Sequence, residues 1–274
     1  SWVAADPESV REFSAVGYFF AKALYEKHGV PIGLINTAVG GTPVQAWMSR
    51  EALAAYPSYL EQADKCRDDD FVQRTIREDQ NAQVNWHRSL AHQDQGLTHK
   101  PRWYETEYDN WKDSNPVEIP CTWSEVEELN GLIGAVWFRK EFDVPKTMVG
   151  KPALLLLGTL VDSDTAYLNG KRVGETGYQS PPRKYNIAPG ILQEGRNVLT
   201  VRVISNNGQG AFVKGKPYQL EIDGEVIDLT GQWQFKVGAT TSDPLPAMTF
   251  FNYKPVGLYN GMIAPLVGLP IKGV

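Results

Sequence analysis

The chain has 274 residues, 42% hydrophobic and 22% charged, with 25 Gly and 18 Pro, which suits one large globular domain or two modest ones. A net charge of -5 with no basic block excludes a surface that tracks nucleic-acid phosphates, and no apolar run reaches the roughly 18 residues that would cross a membrane. Cys66 and Cys121 stand 55 positions apart without a CxxC, which excludes a disulfide scaffold and a Cys-based zinc knuckle and leaves one bridge or two bystanders open.

The opening SWVAADPESV is polar and has no signal-peptide character. Val10, Phe13, Gly17, Phe20 and Leu24 recur at spacings of three and four, predicting a helix with Asp6 as N-cap, Pro7 at its first position and Gly29 as its stop. Val30 to Asn36 is a short continuous apolar run, the pattern of a strand covered on both faces of a parallel sheet. It ends at Gly40-Gly41-Thr42. Two glycines there let the backbone turn sharply and leave N–H groups bare for an oxyanion or phosphate, although a plain strand-to-helix turn has the same sequence.

After Trp47, a Ser49 cap opens helical stretches over Glu51 to Cys66 and Phe71 to His92. Asp68-Asp69-Asp70 between them reads as a solvated helix boundary, since carboxylates favour a helix N-terminus; a metal site is the lesser reading. From about residue 103 short β-rich runs take over: 135–144, 153–160, 165–168, 171–176, 197–204, 218–222 and 225–229. Asn169-Gly170 and Asp223-Gly224 supply the positive φ angles of type I′ hairpins, so this region predicts a β-sandwich. Beyond Trp233 and Phe235 the chain turns Pro- and Gly-rich.

No Gly-x-Ser-x-Gly elbow and no His-Glu-x-x-His occurs. His28, His87, His92 and His99 all fall in the first hundred residues and read as surface or locally bonded side chains. Gly210 to Gly215-Lys216 begins like a phosphate loop, but Pro217 replaces the magnesium-binding hydroxyl and a strand follows instead of a helix. Eight Trp and 12 Tyr are compatible with sugar stacking, and equally with core packing. Asp162 and Asp164 alternate on one strand and read as structural hydrogen-bond acceptors.

Residues 13–20, 30–36, Gly40-Gly41-Thr42 and Ala46-Trp47 resemble the sialate O-acetylesterases of the SGNH hydrolase superfamily. Residues 136–142, Leu157-Gly158, 162–164, 167–170, 182–185 and 195–198 look like the jelly-roll module inserted into that esterase domain, a pattern related to the sugar-binding domain of family 2 glycosidases. Residues 255–266 match the return of the family's chain to the esterase sheet.

The resemblance implies an α/β plus all-β fold: partial SGNH-type three-layer flanks at 1–50 and 245–274, a helical insert at 51–102, and a galactose-binding-like jelly roll at 103–244. It implies a serine esterase that removes acetyl groups from sugars, with an O-acetylated sugar or sialoglycan as substrate, no cofactor and no metal. The setting implied is periplasmic or secreted, with any signal upstream. The family's Gly-Gln-Ser-Asn-Met nucleophile stretch, its Trp-Tyr-Gln-Gly-Glu-Ser-Asn oxyanion stretch and its later Asp and His do not occur in this sequence. The expectation is therefore a portion of such an enzyme, with the remainder of the same polypeptide as a partner. Gln45 also stands where the family leads one to expect an acidic residue.

In this reading the N–H groups of Gly40 and Gly41 help to hold the oxyanion. Thr42, Tyr178, Arg183 and Tyr185 are the expected substrate-binding residues. Arg183 either pairs with a sialic acid carboxylate or braces the sandwich. The alternative from another class is a non-catalytic carbohydrate-binding jelly roll; a family 2 glycosidase fragment leaves residues 1–50 unexplained.

Overall fold

The computed structural model describes residues 2–273 as a mixed helical and antiparallel-sheet protein. It divides into two compact units: one runs up to Arg77 and resumes from Met248, and the other is Glu78–Ala247.

In the first unit, the expected opening helix is broken into two pieces. Asp6 Oδ1 accepts from the N–H groups of Glu8 (2.9 Å) and Ser9 (2.8 Å), but the element that follows is only a short 3-10 turn, Ser9–Glu12, whose N-cap is Glu8. Ser14 then restarts the chain as N-cap of α1 (Ala15–His28), its hydroxyl accepting from the N–H of Gly17 at 3.1 Å; Gly29 ends it at φ 65°. Helix α1 has no buried residue, and Val16 is 82% exposed, Phe19 63% and Phe20 61%.

The strand expected at 30–36 does not form. Apolar content alone cannot make a strand, because a ladder needs a partner, and no segment among the described residues pairs with this one. Every ladder that does form is antiparallel, so the expected parallel layer is absent from the described residues. The unit's small core gathers Leu53, Ala63 and Val256. The N–H of Val256 donates to the Gln45 carbonyl at 3.0 Å, which ties the segment after Met248 to the Gly40–Trp47 region.

Helix α2 (Pro57–Lys65) starts at a proline, later than the Ser49 signal suggests. Helix α3 (Asp69–Gln93) begins at the acidic run, where the Asp68 carboxylate accepts from the N–H groups of Asp70 (3.0 Å) and Phe71 (3.2 Å). A single turn, α4 (Gln95–Thr98), follows.

The second unit has twelve strands, ten in a two-sheet sandwich and two, β4 and β9, in a short separate pair: β1 (Asn115–Ile119), β2 (Gly134–Val144), β3 (Ala153–Leu157), β4 (Leu160–Val161), β5 (Ser163–Leu168), β6 (Lys171–Thr176), β7 (Lys184–Ile187), β8 (Gly195–Ser205), β9 (Ala211–Phe212), β10 (Tyr218–Ile222), β11 (Glu225–Asp228) and β12 (Gly231–Thr240). A six-stranded sheet has the order β1-β12-β2-β8-β5-β6, and a four-stranded sheet the order β11-β10-β3-β7. Val136, Phe138, Leu199, Val201 and Phe235 of the first sheet share one core with Leu155, Leu157, Tyr218 and Leu220 of the second. Both expected hairpins form, with φ of 48° and 78° at Asn169-Gly170 and 53° and 84° at Asp223-Gly224. Cys66 and Cys121 are free thiols, and burial pushes that of Cys121 up to about 11.

The other face of the six-stranded sheet is also covered. Trp137 points there from β2, and Trp103, Tyr108 and Trp111 from the segment after α4 pack with it. The carboxylate of Asp94, the N-cap of α4, is fully buried. Its Oδ1 accepts from Trp137 Nε1 (2.8 Å) and the N–H of Gly96 (2.9 Å), and its Oδ2 accepts from Arg202 Nε (2.7 Å). Gly96 and Gly238 lie so close to this pair that a Cβ on either would collide with the Trp137 ring, and on Gly238 with the carboxylate as well.

Replacing Asp94 by Ala strands the Arg202 guanidinium and the Trp137 indole N–H together, and is expected to cost about 3–5 kcal/mol. In a calorimetric scan that is a fall of roughly 10 °C in the midpoint of the second unit, with Asp94→Asn intermediate because it keeps one acceptor. A midpoint unmoved by Asp94→Ala would show that the carboxylate does not hold the cover.

Candidate functional site

Gly40, Gly41 and Thr42 come together in one exposed turn of the first unit. Gly41 sits at φ 72°, a conformation that glycine adopts without strain. The Thr42 hydroxyl donates to the Val39 carbonyl at 2.8 Å and accepts from Trp47 Nε1 at 2.8 Å, so it clasps the turn from within. Among the described residues the N–H groups of Gly40 and Gly41 have no acceptor, and a Cβ placed on either glycine would meet no atom within 4 Å. Two bare amides are thus presented at an open turn.

No assembled nucleophile accompanies them. Among the described residues no serine or cysteine is hydrogen-bonded to a histidine, and no group of three or more His, Cys, Asp or Glu is placed to hold a metal ion.

Tyr178, Arg183 and Tyr185 belong to the second unit, and the structure gives them separate roles. Tyr178 is 60% exposed. Arg183 is buried: its Nε donates to Asp164 Oδ1 at 2.7 Å, its Nη1 to the carbonyls of Gln179 and Pro181 at 2.8 Å each, and its Nη2 to the carbonyl of Asp162 at 3.1 Å. The Tyr185 hydroxyl donates to Asp164 Oδ2 at 2.7 Å and lies 2.8 Å from the Thr176 hydroxyl. A guanidinium spent on four internal acceptors cannot also clamp a ligand carboxylate. These bonds join β7 and its preceding loop to β5 of the opposite sheet, so Arg183 takes the bracing arrangement that the sequence left open, with the Tyr185 hydroxyl on the same carboxylate. Asp162 and Asp164 are structural acceptors as expected, Asp162 Oδ2 taking the N–H of Asn206 at 2.7 Å.

Two clefts open on the covered face of the six-stranded sheet. One, of about 290 Å³, is lined by His87, Ser163, Thr165, Glu175 and Arg202. Desolvation and the charge of Arg202 lower the His87 pKa, leaving its ring neutral at neutral pH. The other, of about 430 Å³, is lined by Trp103, Tyr104 and Tyr108 together with Arg139, Lys171 and Arg196. Sequence reasoning missed this second group. Its signal was the aromatic density of Trp103-Tyr104-Glu105-Thr106-Glu107-Tyr108, which composition alone assigns equally to core and platform.

Residues 3–77 match the family described as carbohydrate esterase, sialic acid-specific acetylesterase. The match contains the glycine turn and α1. A sialate O-acetylesterase of Rattus norvegicus is 48% identical over 42 residues, a stretch that spans 15% of this chain and 8% of that protein. Among solved structures, a calcium-binding mutant of Bacteroides uniformis β-glucuronidase 2 is similar over 48% of this chain and 16% of its own, at 20% identity and a TM-score of 0.35. Faecalibacterium prausnitzii β-glucuronidase is similar over 37% of this chain and 18% of its own, at 22% identity and a TM-score of 0.31. A β-D-mannosidase from Dictyoglomus thermophilum is 30% identical over 30% of this chain and 10% of its own, with a TM-score of 0.26.

Because Arg183 braces rather than binds, Arg183→Gln is expected to destabilise the second unit by about 3–5 kcal/mol, and Tyr185→Phe by about 1 kcal/mol. Urea titrations followed by tryptophan fluorescence measure both. Stability within about 0.5 kcal/mol of the parent for Arg183→Gln would return that residue to the surface-binding alternative.

Proposed function

We propose that this chain is a portion of a carbohydrate O-acetylesterase that hydrolyses acetyl esters on sialic acid. The observation that carries the reading is the family match over residues 3–77, with the bare amides of Gly40 and Gly41 inside it. In acyl transfer a nucleophilic oxygen adds to the acetyl carbonyl, the carbonyl oxygen becomes an oxyanion, and collapse expels the sugar hydroxyl. Backbone N–H groups fixed at the oxyanion's position stabilise that charge as it develops, and one such donor is typically worth about 10²–10³ in rate. The glycine turn supplies donors of this kind. The nucleophile, its base and a further donor lie elsewhere in the polypeptide in this reading.

The exposed apolar residues of α1 support the same view. Val16, Phe19 and Phe20 are exposed together with Val30 and Ile35, the apolar content of an α/β layer whose neighbours would cover it. We assign the first unit to an SGNH-type α/β layer and the second to an inserted jelly roll, acting in a periplasmic or secreted setting.

The test is acetate release from O-acetylated sialic acid by the product of the whole gene. Release is expected, with Gly41→Val lowering kcat by about 10²–10³ because a β-branched residue resists the turn's left-handed φ. No release by the whole gene product would refute the esterase reading. Turnover of p-nitrophenyl acetate by the 274-residue chain alone, abolished by a serine-directed phosphonate, would refute the placing of the nucleophile elsewhere.

A further inference from the structure

Val256, in the first unit, holds a backbone conformation that its side chain opposes. Its φ is 71°, in the left-handed region, where a β-branched residue is a steric outlier. Among the described residues the other non-glycine positions in that region are Asn169 and Asp223, and each of those opens a two-residue hairpin turn that requires a positive φ. Val256 stands in no hairpin. Strain of this kind persists only where the surroundings over-determine it, and it collects where a backbone group has to be aimed.

The surroundings of Val256 do hold it. The residue is 7% exposed and packs in the small core with Leu53 and Ala63. Its carbonyl accepts from the N–H of Asn260 at 2.9 Å, and the N–H of Gly257 donates to the Lys254 carbonyl at 3.0 Å, so the backbone is bonded on both sides of the strained residue. Gly257 lies close against the turn before it: a Cβ there would stand 2.7 Å from the Asn252 carbonyl oxygen.

What the conformation achieves is the aim of one amide. The Val256 N–H donates to the Gln45 carbonyl at 3.0 Å. Gln45 belongs to the 3-10 turn Val44–Trp47, in which the N–H of the fully buried Ala46 donates to the Pro43 carbonyl at 3.1 Å. From the end of that turn the Trp47 indole donates to the Thr42 hydroxyl, which donates in its turn to the Val39 carbonyl, each at 2.8 Å. A short line of bonds therefore runs from Val256 to the two residues that flank Gly40-Gly41. Residues 30–42 pair with no strand among the described residues, so local bonds of this kind, and not a sheet, place the turn.

We propose that Val256 is a positioning residue for the glycine turn: its left-handed backbone aims the amide that fixes Gln45, and through Gln45 and Trp47 it sets where the N–H groups of Gly40 and Gly41 stand. The catalytic consequence rests on the esterase function proposed above; the placement of the turn does not. An oxyanion donor moved by about 1 Å costs on the order of ten- to a hundredfold in rate. The loss falls on kcat and leaves KM little changed, because the oxyanion exists only beyond the ground state.

Two substitutions separate this role from simple packing. Val256→Ala keeps the Cβ that opposes the left-handed φ and loses the methyl groups that seat the residue, so its backbone relaxes and the amide leaves Gln45. Val256→Gly loses more of the side chain but takes that φ without strain, so the amide stays. Packing alone makes the glycine variant the worse of the two; positioning makes it the better. NMR of the 274-residue chain reads the turn directly. In Val256→Ala the Trp47 indole proton is expected to exchange at least about tenfold faster than in the parent and the Gly41 amide signal to move, whereas both stay near the parent in Val256→Gly. In the product of the whole gene, Val256→Ala should lower kcat for acetate release about ten- to a hundredfold at nearly constant KM, and Val256→Gly should stay within about threefold of the parent. A parent-like turn or a parent-like kcat in Val256→Ala, or a glycine variant more disturbed than the alanine variant, would overturn the proposal. If Val256→Ala fails to fold, Val256→Gly decides alone, a parent-like turn supporting the proposal and a disturbed one overturning it. A parent gene product that releases no acetate refutes the esterase function, and the NMR comparison then decides the placement of the turn.

Discussion

The buried carboxylate of Asp94 is the contact on which the second unit's covered face depends. One side chain accepts from an indole N–H on β2, a guanidinium on β8 and the Gly96 N–H of α4, so it joins two strands to the chain that crosses them. Each of those donors would be costly to bury without an acceptor, and the carboxylate would be costly to bury without them. The site is mutually satisfied or not formed. The surrounding shape agrees, since Gly96 and Gly238 leave no room for a side chain between the carboxylate, the indole and the backbone.

From that anchor follows the arrangement of the face. With Asp94 fixed, the stretch from Trp103 to Trp111 lies across Trp137, and Lys236 sits 4.6 Å from the Trp103 ring centre. The Arg183–Asp164 pair does comparable work on the inner face, where it joins the two sheets. Both ion pairs share a chemistry that in isolation suggests ligand binding; the count of internal acceptors around Arg183 shows that it serves the fold.

Local chemistry made some of this legible in sequence. Asn169-Gly170 and Asp223-Gly224 were readable because a two-residue hairpin needs positive φ at both positions, and α3 because its acidic start caps itself. Strand β12 was obscured by its bulge between Val237 and Ala239, which breaks the alternation that Trp233, Phe235 and Val237 begin. The run from Val30 to Asn36 misled for the opposite reason: its composition suits a buried strand, but a strand exists only with a partner. Asp94 was invisible, since an aspartate between two helices signals a cap and says nothing of a tryptophan 43 residues further on. The cleft was hidden likewise, because its cations come from β2, from the residue after the Asn169-Gly170 turn and from the start of β8, which meet only after the sandwich has closed.

The claim that Asp94 holds the cover to the sheet is tested most directly by native-state hydrogen exchange at the Trp137 indole N–H, resolved by NMR. If the carboxylate is an integral anchor, that proton exchanges only through global unfolding, as slowly as the amide of Val201 in the central strand. Exchange at the rate of exposed loop amides, with Val201 still protected, would show that the cover opens freely and that the anchor does not bind it.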